Sequence, residues 1–229
     1  MIRKAIFVTV FVAFAQSLSI GRSPFKLDAA CAPDDFKSTK ACLDSYFKGY
    51  GFDPAHLPSY HDFFANIIDI TTKFGSGGVD IFCNYEVSLE SCLGPLFSSD
   101  CMRTEAIHEM YDGMSWADAG KYSTDFQVRA FECDNKQFIK DNNDCFDDVV
   151  TNHLDERQQC KAQLDIDIEA VTDGDYCTPF IPFITCEQDV YAKYCGEKTR
   201  GYICQILQIG TIFDSKGICT TELPPCPSF

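Results

Sequence analysis

The chain has 229 residues, a formal net charge of −15 and 14 cysteines; 45% of it is apolar, including 20 phenylalanines. So negative a chain is a poor partner for nucleic acid and anionic membrane surfaces, which leaves basic partners or plain solubility, the simpler account. The length suits one large domain or two small ones, long enough to bury a core without relying on cross-links.

Residues 1–20 carry Arg3 and Lys4, an apolar run from Ala5 to Ala15, and small residues at Ala13, Ala15, Ser17 and Ser19. That is the layout of a cleavable secretory signal, and the run is shorter than the roughly 20 apolar residues a bilayer core needs. Its removal takes away two bases and no acid, so the secreted form, 21–229, would be two charges more negative. No second long apolar run follows, and Glu222 to Phe229 offers neither a lipid-anchoring tail nor a retention tetrapeptide. The expected location is extracellular, without a membrane span.

Periodicity predicts a mostly helical chain. Asp34 or Asp35 caps a helix through Phe36, Cys42, Leu43, Tyr46 and Phe47 that stops at Gly49 or Gly51. A second begins at Ser59, carries Phe63, Phe64, Ile67, Ile68 and Phe74, and ends at Gly75. The third covers Val79 to Leu93, and Ser99 or Asp100 caps a fourth through Ala106 and Met110. Trp116 and Gly120 read as a loop, with Ser123 opening the helix to Cys133. Asp134 to Val171 holds two acidic helices, although the alternation in Asp165 to Val171 also suits short strands. Helices over Pro182 to Tyr194 and Thr199 to Ile209 complete an all-α, disulfide-rich fold.

The cysteines are Cys31, Cys42, Cys83, Cys92, Cys101, Cys133, Cys145, Cys160, Cys177, Cys186, Cys195, Cys204, Cys219 and Cys226. An even count in a secreted chain reads as a framework of up to seven bridges, each contributing about 2–4 kcal/mol. The closest pair is Cys219 and Cys226 and there is no CxxC, which argues against structural zinc and thioredoxin-like chemistry. Cys83, Cys92 and Cys101 recur every nine residues, as do Cys177, Cys186, Cys195 and Cys204. Nine residues are two and a half helical turns, so neighbouring cysteines on one helix face opposite ways and staple it from both flanks.

A faint repeat pairs Cys31, Phe36 and Cys42 with Cys133, Phe138 and Cys145, and Cys83, Cys92 and Cys101 with Cys177, Cys186 and Cys195. It suggests two similar halves, about 31–120 and 133–210; chance likeness among amphipathic helices explains it equally well. Five cysteines up to Cys101 and nine from Cys133 are both odd counts, so complete pairing demands a bridge between these halves, which makes 21–229 a single domain.

Candidates for chemistry are few. Glu105, His108 and Glu109 share a helical neighbourhood, as do His153 and Asp155, but neither makes HExxH, and a solvated helix face is the simpler account. Glu105 and His108 are the only catalytic candidates worth naming. Ser76 in Gly75-Ser76-Gly77-Gly78 lacks the nucleophile-elbow spacing and reads as a linker. Asp165, Asp167 and Glu169 open like an EF-hand, but Ala170 and Tyr176 occupy its glycine and bidentate glutamate positions. Asp173 with Asp175, and the run Asp141 to Asp148, offer at most weak cation sites. Phe63 to Ile68 and Phe180 to Ile184 would line a cavity for a greasy ligand or, more simply, pack a core; Trp116 most simply anchors its loop. No Asn-x-Ser/Thr sequon occurs.

The pair Cys31 and Cys42, the run Phe82-Cys83 to Cys92-Leu93-Gly94, Phe131-Glu132-Cys133 with Phe138 and Cys145, and Tyr194-Cys195-Gly196 together resemble a cysteine-rich domain family. That family is secreted, expanded in nematodes and catalogued as a domain of unknown function (number nineteen); the likeness covers about Cys31 to Cys204. It implies an extracellular, helical, disulfide-bonded protein and supplies no catalytic residues. The expected function is therefore non-enzymatic, without cofactor or metal: binding an unknown extracellular protein. A carrier of a hydrophobic small molecule or lipid is the alternative.

Overall fold

The computed structural model describes residues 31–171, 176–215 and 217–229. Residues 1–20 and the pair Asp173 and Asp175 lie outside the described residues. Within them are nine α-helices and no strand: α1 Pro33–Gly49, α2 Tyr60–Phe74, α3 Ser76–Leu93, α4 Thr104–Met110, α5 Trp116–Asp134, α6 Lys136–Asn152, α7 Leu154–Glu169, α8 Phe180–Cys195 and α9 Glu197–Asp214. Short 3-10 turns occupy Gly94–Ser98, Asp100–Met102 and Ile218–Thr221. The chain falls into two compact units that meet between Lys136 and Gln137.

In the first unit α3 is the central helix, packed against α1, α2 and α5. Phe47, Phe63, Phe82, Tyr122 and Phe126 are fully buried. The rings of Phe47, Phe63 and Tyr122 meet edge-on or tilted, Phe47 against Phe63 at 5.7 Å and against Tyr122 at 5.3 Å, the arrangement aromatic quadrupoles favour, while Tyr122 stacks on Phe126 at 6.3 Å. Gly75 alone joins α2 to α3, at φ 57°, a conformation only glycine adopts freely. Gly78 sits where the two helices touch: a Cβ there would fall 2.6 Å from the Thr71 Cα.

In the second unit α8 is central, packed against α7 and α9, with a single glycine, Gly196, turning α8 into α9. Phe146 of α6 stacks on Tyr202 of α9 and meets Tyr191 of α8 edge-on. The C-terminal segment lies along α9. Gly201 leaves room for the Pro227 carbonyl, Cys226 is bonded to Cys204, and the Phe229 ring packs 5.1 Å from Phe138.

All 14 cysteines are paired: Cys31–Cys101, Cys42–Cys92, Cys83–Cys133, Cys145–Cys195, Cys160–Cys186, Cys177–Cys219 and Cys204–Cys226. The double staple predicted from nine-residue spacing is present on both central helices. The bridge demanded by parity is Cys83–Cys133, yet Cys133 ends a helix of the first unit, so each bridge lies within one unit. Cys219 and Cys226 do not pair with each other.

Several local expectations change. Ala32, not an aspartate, is the N-cap of α1; Pro33 takes the first helical position and Asp34 and Asp35 face the positive end of the dipole. Ser76 opens α3 instead of lying in a linker. Ser99 caps only a 3-10 turn, after which the chain extends at Arg103 before α4 begins. Trp116 and Gly120 are helical: Ser115 caps α5 by accepting from the Asp118 amide. Asp165 to Glu169 continues α7, because its acids form side-chain pairs one turn apart, Lys161 with Asp165 and Gln163 with Asp167, which only a helix allows.

Candidate functional site

The second unit carries an open cleft of 470 Å³ between α7 and α8, with Pro182, Val190 and Cys186 among its apolar lining. The Cys160–Cys186 bridge ties the two helices together, and beside it Arg157 donates to Glu187 at 2.9 Å with both side chains buried. The Arg157 guanidinium also faces the Tyr191 ring at 5.4 Å. Burial pushes the Glu187 carboxyl up and the Arg157 charge opposes it; burial disfavours the charged Arg157, which Tyr191 and Glu187 more than offset.

The rim is ionic. Glu156, in the first turn of α7, accepts from Lys193 of α8 at 2.9 Å and from the Tyr194 hydroxyl. Those two donors hold the Glu156 carboxyl below its usual range; hydrogen bonds to Tyr194 and Glu156 hold the Lys193 ammonium above its own. Asp189, one turn earlier on α8, pairs with Arg200 of α9, which also binds Glu197 at 3.0 Å. The His153 ring stacks on Tyr194 at 3.5 Å and its Nε2 lies 3.4 Å from Asp148. Glu156 is thus held as a carboxylate and Lys193 as an ammonium. What the rim can do is present fixed charges of both signs over an apolar floor.

The residues singled out in the sequence are dispersed. His108 is in the first unit, stacked at 4.0 Å on Trp116, which is 53% exposed and starts α5. Among the described residues no group of three or more His, Cys, Asp or Glu is arranged to hold a metal. His153 meets Asp148 instead of Asp155. Phe63, Phe64 and Ile67, and Phe180, Phe183 and Ile184, are buried in their units' cores. No helix among the described residues is long and apolar enough to cross a membrane. The cleft residues Glu156, Asp189 and Lys193 are not legible in the sequence, because Glu156 and Lys193 are 37 residues apart. The available signal was weaker: a lysine-tyrosine pair in the last turn of one helix, and two acids in the first turn of another.

No family model, no curated protein and no solved structure matches the chain.

Proposed function

We propose that the chain is a secreted, non-catalytic extracellular protein, a member of the nematode-expanded family it resembles, that binds a basic protein partner through the rim and flanking helices of the α7–α8 cleft. The observation that carries this reading is the pairing of Glu156 with Lys193 and Tyr194 across two disulfide-bonded helices. Such a surface is pre-ordered, so binding costs little side-chain entropy. The outer face of α7 adds exposed Asp155, Asp165 and Glu169 around exposed Leu154 and Ile166, a combination suited to a cationic amphipathic partner. Seven bridges and the signal-like N-terminus support secretion. The burial of both phenylalanine-rich segments in helix packing favours a binding surface over a carrier of hydrophobic ligands.

The test is calorimetric titration of the full chain with a lysine-rich amphipathic peptide. Binding at low salt should fade as the Debye length shrinks, and Asp155→Lys with Glu169→Lys should weaken it by about tenfold. Charge reversal at Asp34 and Asp35, exposed in the first unit, should change it by less than about twofold. Equal weakening by both pairs would remove the assignment to α7. A hydrolytic activity lost on changing His108 or Asp148 would overturn the non-catalytic reading.

A further inference from the structure

The core of the first unit holds a charged cluster inside its aromatic packing. Arg129 of α5 is fully buried, and its Nε donates to Asp125 Oδ2 at 2.6 Å. Asp125 also accepts from the Tyr60 hydroxyl at 2.9 Å. The guanidinium lies 5.5 Å from the Phe82 ring and 5.9 Å from that of Phe64, and Nη1 and Nη2 have no hydrogen-bond partner among the described residues. Glu86 of α3, also fully buried, accepts from the Tyr46 hydroxyl at 3.3 Å through Oε2, while its Oε1 has no such partner. Glu132, three residues after Arg129 on the same helix, is buried with Oε2 equally unpartnered.

The cluster therefore has one permanent cation and three carboxyls. An uncompensated buried carboxylate is far more costly than a neutral carboxyl, which a proton alone provides. Asp125, bonded to both Arg129 and Tyr60, is the carboxylate that the guanidinium balances. Among the described residues, Glu86 and Glu132 are left without a second cation. The ionisable groups packed on the cluster do not supply one: α1 contributes Tyr46 and Tyr50, α2 contributes Tyr60, α3 adds Glu90 beyond Glu86, and α5 adds Tyr122.

We propose that Glu86 and Glu132 form a buried proton-binding site that makes the packing of the first unit depend on pH, tight when both carboxyls are protonated and loosened when the proton is lost. The electrostatics agree in direction. Burial pushes the Glu132 carboxyl up to about 7 against the pull of Arg129, and pushes Glu86 well above the carboxylate range. Since both folded values lie above the unfolded value of 4.5, the stabilisation is complete below pH 4.5 and is lost as pH rises through the folded values. For Glu132 that window spans about pH 4.5 to 7. A site of this kind would let an extracellular protein respond to the acidity of its surroundings without a histidine.

Trp116, the single tryptophan, lies in the first unit, so its fluorescence reports the unfolding of that unit. The experiment is urea unfolding of the full, oxidised chain from pH 5 to pH 8.5. The wild-type midpoint should fall by about 1 M or more over this range, and Glu132→Gln with Glu86→Gln should remove most of that fall. A double variant with the wild-type slope, or a wild-type midpoint that rises with pH, would overturn the proposal. Carbon-13 labelling of the glutamate carboxyls covers the case of a variant that does not fold. At least one wild-type glutamate should titrate above pH 6, and titration of every glutamate below pH 5.5 would equally overturn it.

Discussion

Cys83 and Cys92 stand nine residues apart on α3 and are bonded in opposite directions, Cys83 to Cys133 of α5 and Cys92 to Cys42 of α1. Cys186 and Cys195 repeat the relationship on α8, bonded to Cys160 of α7 and Cys145 of α6. In both units one of these staples lies beside a buried arginine: Arg129 is four residues before Cys133, and Arg157 three before Cys160. The central helices are fixed from two sides, and the polar groups that would be costly in a loose core are held beside the covalent links.

Removing the Cys42–Cys92 bridge by changing both residues to alanine should destabilise the first unit by about 2–5 kcal/mol. Trp116 fluorescence during urea unfolding measures the loss. Hydrogen exchange in α8 and α9 should stay unchanged, since those helices belong to the other unit and keep their own bridges.

Gly77 and Gly78 adjoin each other in α3 yet should respond with opposite signs to alanine. A Cβ at Gly77 meets nothing within 4 Å, so Gly77→Ala should stabilise by about 0.5–1 kcal/mol through helix propensity. At Gly78 the Cβ would press on the Thr71 backbone, and Gly78→Ala should cost about 1–3 kcal/mol. Thermal unfolding of the two variants decides it.

Arg157→Met should be strongly destabilising, by about 3–5 kcal/mol, because it leaves Glu187 buried opposite no charge. With its cation gone the Glu187 carboxyl must be held protonated, so the deficit should grow as pH rises. Arg157→Met combined with Glu187→Leu should return stability to within about 1–2 kcal/mol of wild type. Calorimetric melting of the three proteins at pH 5 and pH 8 gives the comparison.

His108→Ala should expose the remaining face of the Trp116 indole, now covered by the imidazole at 4.0 Å. Emission should move to longer wavelength and iodide quenching should increase. Stability should change by no more than about 1 kcal/mol, since Trp116 is already half-exposed.

The helices were legible wherever an apolar stripe and a stop residue coincided, as in α2 with Ser59 before it and Gly75 after it. They were misread where aromatic and glycine content outweighed a cap. Ser115 and Asp118 form the start signal of α5, yet Trp116 and Gly120 suggested a loop. The pairing of Cys42 with Cys145 extends to a repeat of constant offset when Cys83, Cys92 and Cys101 are matched one cysteine later than Cys177, Cys186 and Cys195. Cys42, Cys83, Cys92 and Cys101 each reappear 103 residues later, as Cys145, Cys186, Cys195 and Cys204. The same offset carries α1 onto α6, 17 residues in each, and Cys42–Cys92 onto Cys145–Cys195, both 50 residues apart. The remaining bridges break the pattern, since Cys83 joins a later helix and Cys186 an earlier one. The cleft was the least legible feature, because it is made by ion pairs between helices and no local spacing records them.

The assignment of every bridge to one unit is tested most directly by digesting the denatured, unreduced chain with a lysine-specific protease, which cuts after Lys136, and identifying the disulfide-linked peptides by mass. Each linked set should come wholly from one side of Lys136, with Cys133 joined to Cys83 and Cys145 to Cys195. A linked set containing cysteines from both sides would contradict the two-unit account.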